Sequence, residues 1–213
     1  MSKNQLHDVI SQISRQMEET DAARERGLTL HRRAIRESSL AIRAIHRLDP
    51  EQARECIQRA RQALDQVREA LGAHPEVYYA GFLQDAEKEY AEACLTFEMV
   101  SGSNLPSPDE LQVGNAPYLN GLAEAVGELR RHALDRMRQG EIETAERLLG
   151  LMDEIFYVLT TVDFPDAITR GLRRSTDVAR GCLEKTRGDL TAHYGHLHLE
   201  REIRRFREQL AQG

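Results

Sequence analysis

An all-α fold is predicted by three features of this 213-residue chain. Ala, Leu, Glu, Arg and Gln, all strong helix formers, dominate it. No segment shows the β-branched enrichment of a strand, and no hairpin signal is present. Proline and glycine separate stretches whose apolar residues recur at three and four, the period of an amphipathic helix. The length suits one domain, 1–213, with ample chain for a core.

The first helix is expected from about Asn4 to Leu48, carrying Ile13, Met17, Leu28, Ile35, Ile42 and Ile45, with Gly27 as a weak point. Asp49-Pro50-Glu51-Gln52 ends it and opens the second: Asp49 caps, Pro50 suits the first helical position and Gln52 completes a capping box. The second helix runs to about Leu71, where Gly72 to Pro75 breaks it. The third, about Glu76 to Ser101, carries Tyr78, Phe82, Ala86, Ala93 and Phe97. In the loop from Gly102 to Ala116, Ser107-Pro108-Asp109-Glu110 caps a short helical turn. The fourth helix opens at Pro117 and ends near Gln139; the fifth runs from Glu141 to about Val162 and belongs in the core. Phe164-Pro165-Asp166 breaks it, and the rest forms one or two helices, with Gly188 as an interruption. Short connections imply antiparallel neighbours and hence a bundle.

No apolar run reaches the roughly 20 residues that span a bilayer, and the first residues lack a signal-peptide core. No membrane partner and a cytoplasmic location are therefore expected. Cys56, Cys94 and Cys182 are odd in number and far apart, which fits small buried groups better than a disulfide framework or a zinc site. The net charge of −6 argues against a generally basic nucleic-acid binder. The charge is uneven, however: from Asp21 to Leu48 seven arginines face three acids. Arg32, Arg36 and Arg43 share one face, with Arg33 and Arg47 beside them. Arginine forks onto phosphate oxygens, so these five are the candidate nucleic-acid contacts. A solvated face or an ion-pair network fits them equally. Arg170, Arg173, Arg174 and Arg180 form a second cluster with the same two readings.

Carboxylates carry the sharper signal. Glu89 and Glu92, three apart, share a face of the third helix, and Phe82, Ala86, Ala93 and Phe97 lie at helical spacing from Glu89. An unpaired carboxylate in an apolar stripe is costly and calls for a cation. Glu124 and Glu128, four apart, share a face of the fourth helix. Gly121 and Gly127 beside them permit close approach of a neighbour or ligand. Four carboxylates from two helices offer hard oxygen ligands suited to Mg2+ or Mn2+. Spacing alone leaves two other readings: solvated helix faces, and ion pairs to Arg130, Arg131 or the first helix. A ferritin-like centre needs Glu and His three apart, whereas Glu128 and His132 are four apart. His193, His196 and His198 read as a solvated face.

At these residues the chain resembles the translin family, and its Trax branch more than translin. Glu89-Tyr90-Ala91-Glu92-Ala93 is similar to a Glu-Tyr-x-Glu-Ala motif of that branch. The stretch Tyr118-Leu119-Asn120-Gly121-Leu122-Ala123-Glu124-Ala125-Val126-Gly127-Glu128-Leu129 is similar to a second, with Glu124 where the family has Asp. Arg32, Arg33, Glu37-Ser38 and His46-Arg47 match in outline, and the likeness spans roughly residues 20 to 190. Tyr79-Ala80-Gly81-Phe82-Leu83-Gln84 lacks the basic residues that translin carries there.

The resemblance implies a seven-helix protomer of the translin type in a closed shell, typically of eight subunits, with RNA inside. It implies a Mg2+-dependent endoribonuclease whose metal-binding and catalytic set is Glu89, Glu92, Glu124 and Glu128. Partners would be RNA and either further copies of this chain or a translin-like second subunit. Three functions follow: a single-strand-preferring endoribonuclease, an RNA- or single-stranded-DNA-binding shell without activity, and a helical scaffold acting through protein partners. RNA cleavage in Mg2+, RNA binding without cleavage, and no RNA binding at low salt distinguish them.

Overall fold

A computed structural model of the protein describes residues 3–78 and 81–211. The described residues are helical, without strands, in the order α1 (Lys3–His46), α2 (Pro50–Leu71), α3 (Pro75–Tyr78), α4 (Phe82–Ser101), α5 (Pro108–Leu111), α6 (Asn115–Arg138), α7 (Ile142–Thr160), α8 (Asp166–Thr169) and α9 (Leu172–Ala211). Six are long; α3, α5 and α8 are single turns of four residues each. None is long and apolar enough to cross a membrane.

Local chemistry sets the boundaries. Asp49 accepts from the Gln52 amide at 3.0 Å, and Pro50 occupies the first turn of α2. Only half of the expected capping box forms, because the Gln52 side chain turns to the Cys56 sulfur instead, 3.4 Å away. The box at Ser107 and Glu110 is complete. The single third helix expected from sequence is two, α3 and α4. Gly81, at φ 103°, stands at the start of α4 in a conformation that glycine adopts readily and other residues rarely. Tyr79 and Ala80, and the side chain of Phe82, lie outside the described residues. Gly102 ends α4 in the left-handed region with its amide bonded to the Glu98 carbonyl. Gly27 and Gly188 do not interrupt their helices: α1 and α9 run straight through both. A side chain at Gly27 would meet Leu71 at 3.1 Å, so that glycine serves the packing of α1 on α2.

The connections from α1 to α2 and from α6 to α7 are a few residues long, so those helices fold back on each other. Helix α6 is the hub, packing against α4, α7 and α9, while α1 packs on α2 and α4. The core gathers Leu64, Leu71, Leu95, Leu129, Leu148, Met152 and Leu183, all fully buried. Ala93 and Phe97 of α4 sit against α1 residues Ile42, Ala44 and Ile45. Cys56 and Cys94 are buried and Cys182 half-buried, all three free, as small packing groups should be.

Candidate metal centre and adjoining groove

Helix α4 supplies Glu89 and Glu92; α6 supplies Glu124 and Glu128. The two helices approach closely because Gly121 has no side chain. A Cβ there would stand 2.7 Å from the Lys88 carbonyl oxygen and 2.9 Å from the Glu92 amide nitrogen. Both atoms are backbone, so neither can swing aside. Gly127 plays a different part: nothing lies within 4 Å of its Cβ position, and it borders the groove described below.

Ligand oxygens of Glu89, Glu92 and Glu124 lie within 4.8 Å of one another, the one such group of three or more metal-ligating side chains among the described residues. Glu92 is the buried member, at 8% exposure, and Glu89 is half-buried, so the costly position in the apolar stripe belongs to Glu92. Burial, followed by the charges of Glu89, Glu124 and Glu128, pushes the Glu92 carboxyl up to about 8; Lys88 opposes the shift.

Lys88 is the cation at the cluster. Its Nζ lies 2.7 Å from each carboxylate oxygen of Glu124 and 3.4 Å from Oε1 of Glu89. Burial works against its charge, but Glu124 and Glu89 outweigh it and raise its pKa.

Glu128 points to α1. His46 Nε2 donates to Glu128 Oε2 at 2.5 Å, from a side chain only 4% exposed. The His132 ring is centred 6.1 Å from that of His46. Burial, then the nearby Arg136 guanidinium and the His46 ring, pushes His132 down to about 4 and keeps it neutral at pH 7. Glu128 thus pairs with a histidine across the bundle instead of with His132 on its own helix. Arg130 is engaged with Asp189 at 2.8 Å, and Arg131 is exposed. The partners of these acids are therefore Lys88 and His46, not the arginines that spacing suggested.

A groove of about 1190 Å3 opens beside the cluster. One wall holds Asp85, Lys88, Glu92 and Glu124; the other holds Arg170 and Arg174, with Asp166 beside them. Half of the second arginine cluster thus faces the acids, while Arg173 and Arg180 are exposed. Arg32, Arg33, Arg36, Arg43 and Arg47 are all exposed, and none forms an ion pair among the described residues. The histidines of α9 form no ligand group there.

The donor set fits a hard divalent cation. Opposite ligands of an ion coordinated at about 2.1 Å stand roughly 4.2 Å apart, close to the spread of these oxygens before any adjustment. Burial first, and then the neighbouring acids, raise the Glu92 pKa, and a divalent ion would supply positive charge against both.

No protein-family model matches the chain. It is 28% identical over 208 residues to the uncharacterized protein MJ0175 of Methanocaldococcus jannaschii, covering 96% of this chain and 91% of that one. Among solved structures it is similar to AfC3PO and to AfC3PO in complex with duplex RNA, each with a TM-score of 0.81 and 35% identity over 88% of this chain and 97% of the other. Apo-NeC3PO shares the fold, with a TM-score of 0.73 and 20% identity over 91% and 98%.

Proposed function

This chain belongs to the translin/Trax family, and from that premise we propose that it is a Mg2+- or Mn2+-dependent endoribonuclease of the catalytic, Trax-like branch. The observation that carries the proposal is the three-acid cluster of Glu89, Glu92 and Glu124 at the wall of a groove whose far wall is cationic. Glu128 completes the set from the side, held by His46. AfC3PO, solved with duplex RNA, supports RNA as the class of substrate and makes duplex RNA a second candidate beside the single strands expected from sequence. The enclosing oligomer, of this chain alone or with a translin-like partner, belongs to the same proposal.

A bound divalent ion would polarise a phosphoryl oxygen and lower the pKa of a bound water. The chain's own residues do the rest. Arg170 and Arg174 hold RNA phosphates along the groove, and Arg32, Arg33, Arg36 and Arg43 of α1, with Arg47 just past its end, hold those farther out. Buried Glu92 of α4, with Glu89 of the same helix and Glu124 of α6, would hold the ion. Glu89 or Glu124, each partly exposed, takes the proton from the attacking water.

The test is end-labelled single-stranded and duplex RNA incubated with the protein in Mg2+. Cleavage should stop in EDTA and fall in Glu124→Ala by at least the roughly 10–100-fold that loss of a group supporting a metal's ligands costs. Cleavage that survives both would defeat the proposal. For the arginines, the double variant Arg32→Ala/Arg36→Ala should bind single-stranded RNA more weakly. Its plot of log affinity against log salt should flatten by about 1.4, at about 0.7 per lost phosphate contact. An unchanged slope would move these arginines out of the interface.

A further inference from the structure

Lys88, the cation at the acid cluster, has no part in the reaction proposed above. It is one of three lysines in the chain, the others being Lys3 and Lys185. Its ammonium sits across the open edge of Glu124, 2.7 Å from both carboxylate oxygens, and also reaches Glu89 at 3.4 Å. A metal ion needs those same lone pairs. Coordination takes place at about 2.0–2.6 Å from oxygen, so an ammonium held on both oxygens of Glu124 occupies the place the ion would take. The side chain is 25% exposed and borders the groove, so it has a way out, and that way leads toward Arg170 and Arg174.

Resting on the metal-site reading above, we propose that Lys88 is a resident counter-ion that exchanges with the divalent metal: it holds Glu89 and Glu124 together when the metal is absent, and metal binding releases its ammonium into the groove as an additional phosphate contact. Two consequences follow from charge and geometry alone. Lys88 competes with the metal, so removing its charge tightens metal binding. Its release adds a cation to the groove, so metal and RNA strengthen each other's binding, by the same factor in both directions. A lysine that merely supports the fold would do neither.

The experiment measures Mn2+ binding to the full chain by calorimetry, and binding of a labelled 2′-O-methyl RNA that resists cleavage, with and without Mn2+. Wild type, Lys88→Met and Lys88→Arg are compared, each checked for an unchanged helical spectrum and melting profile. Lys88→Met should bind Mn2+ about tenfold more tightly than wild type, as expected for loss of one competing charge-assisted contact. The same variant should lose most of the Mn2+-dependent gain in RNA affinity that wild type shows. Lys88→Arg, which keeps the charge, should retain both wild-type behaviours and guards against a folding defect in the methionine variant. Mn2+ binding by Lys88→Met that is equal to or weaker than wild type overturns the exchange while leaving the metal site standing. Absence of Mn2+ binding in wild type, with no change in Glu92→Gln, overturns the exchange and the metal-site reading together.

Discussion

Glu92→Gln is expected to abolish metal-dependent RNA cleavage and, in the same protein, to stabilise the metal-free fold at alkaline pH. The opposite signs come from one cause. The Glu92 carboxyl is raised to about 8 in the folded protein, by burial first and then by Glu89, Glu124 and Glu128, from an ordinary value of 4.5. At low pH, folded and unfolded chains both carry the proton. As pH rises past 4.5 the unfolded chain releases it while the folded one keeps it, so folding stability falls. The fall ends near pH 8, where the folded state also ionises. Glutamine has nothing to release and escapes the penalty. In EDTA, the variant should therefore melt close to wild type near pH 4.5 and progressively above it toward pH 8. The gap should reach a few kcal/mol, or roughly 5–10 °C for a chain of this size. Saturating Mn2+ should reverse the ranking, because the wild type gains the stability of the bound ion and the variant has lost a ligand. Thermal unfolding at three pH values, with and without Mn2+, reads all of this. A constant gap between the two proteins would refute the burial of a charge at Glu92.

Gly121→Ala has the second largest expected effect, for a purely geometric reason. One methyl group placed 2.7 Å from a carbonyl oxygen and 2.9 Å from an amide nitrogen must push α4 and α6 apart. Overpacking of this kind costs about 1–3 kcal/mol, even though alanine favours a helix over glycine by up to about 1 kcal/mol. The displacement falls between Glu92 and Glu124, so Mn2+ affinity should drop along with stability. Gly127→Ala is the control. It lies about 1.7 turns along the same helix with open space at its Cβ position, so it should be neutral or stabilising. Urea unfolding of the two variants should thus move in opposite directions. If both move alike, helix propensity and not the close crossing governs these glycines.

The helices and acids are legible in the chain because their signals are local. Proline at the start of α2, the Ser107–Glu110 box and the three- and four-residue apolar spacing each act within one turn. Glu89 with Glu92, and Glu124 with Glu128, are marked by spacing, and Gly121 by its smallness. What is not legible is set by contacts across the bundle. The break at Gly81 depends on a backbone angle, and a glycine in a helical pattern does not announce its sign. Lys88 is adjacent to Glu89 in sequence and so points elsewhere on an isolated helix; only the crossing with α6 brings Glu124 under its ammonium. The tie from His46 to Glu128 spans 82 residues, and nothing in either neighbourhood predicts it. The groove wall of Arg170 and Arg174 depends on the turn where Arg170 takes φ 51° and Gly171 φ 86°, redirecting the chain from α8 into α9.

The contact of His46 with Glu128 also sets a length. Helix α1 runs unbroken from Arg32 to His46, and a helix advances 1.5 Å per residue. Arg32 therefore stands about 21 Å along the axis from the point where α1 touches the acids. On the proposed function, α1 acts as a ruler. RNA gripped by Arg32 and Arg36 would then meet the carboxylates at a fixed offset from that grip, and the cut would be placed by the pitch of a helix and not by the identity of a base.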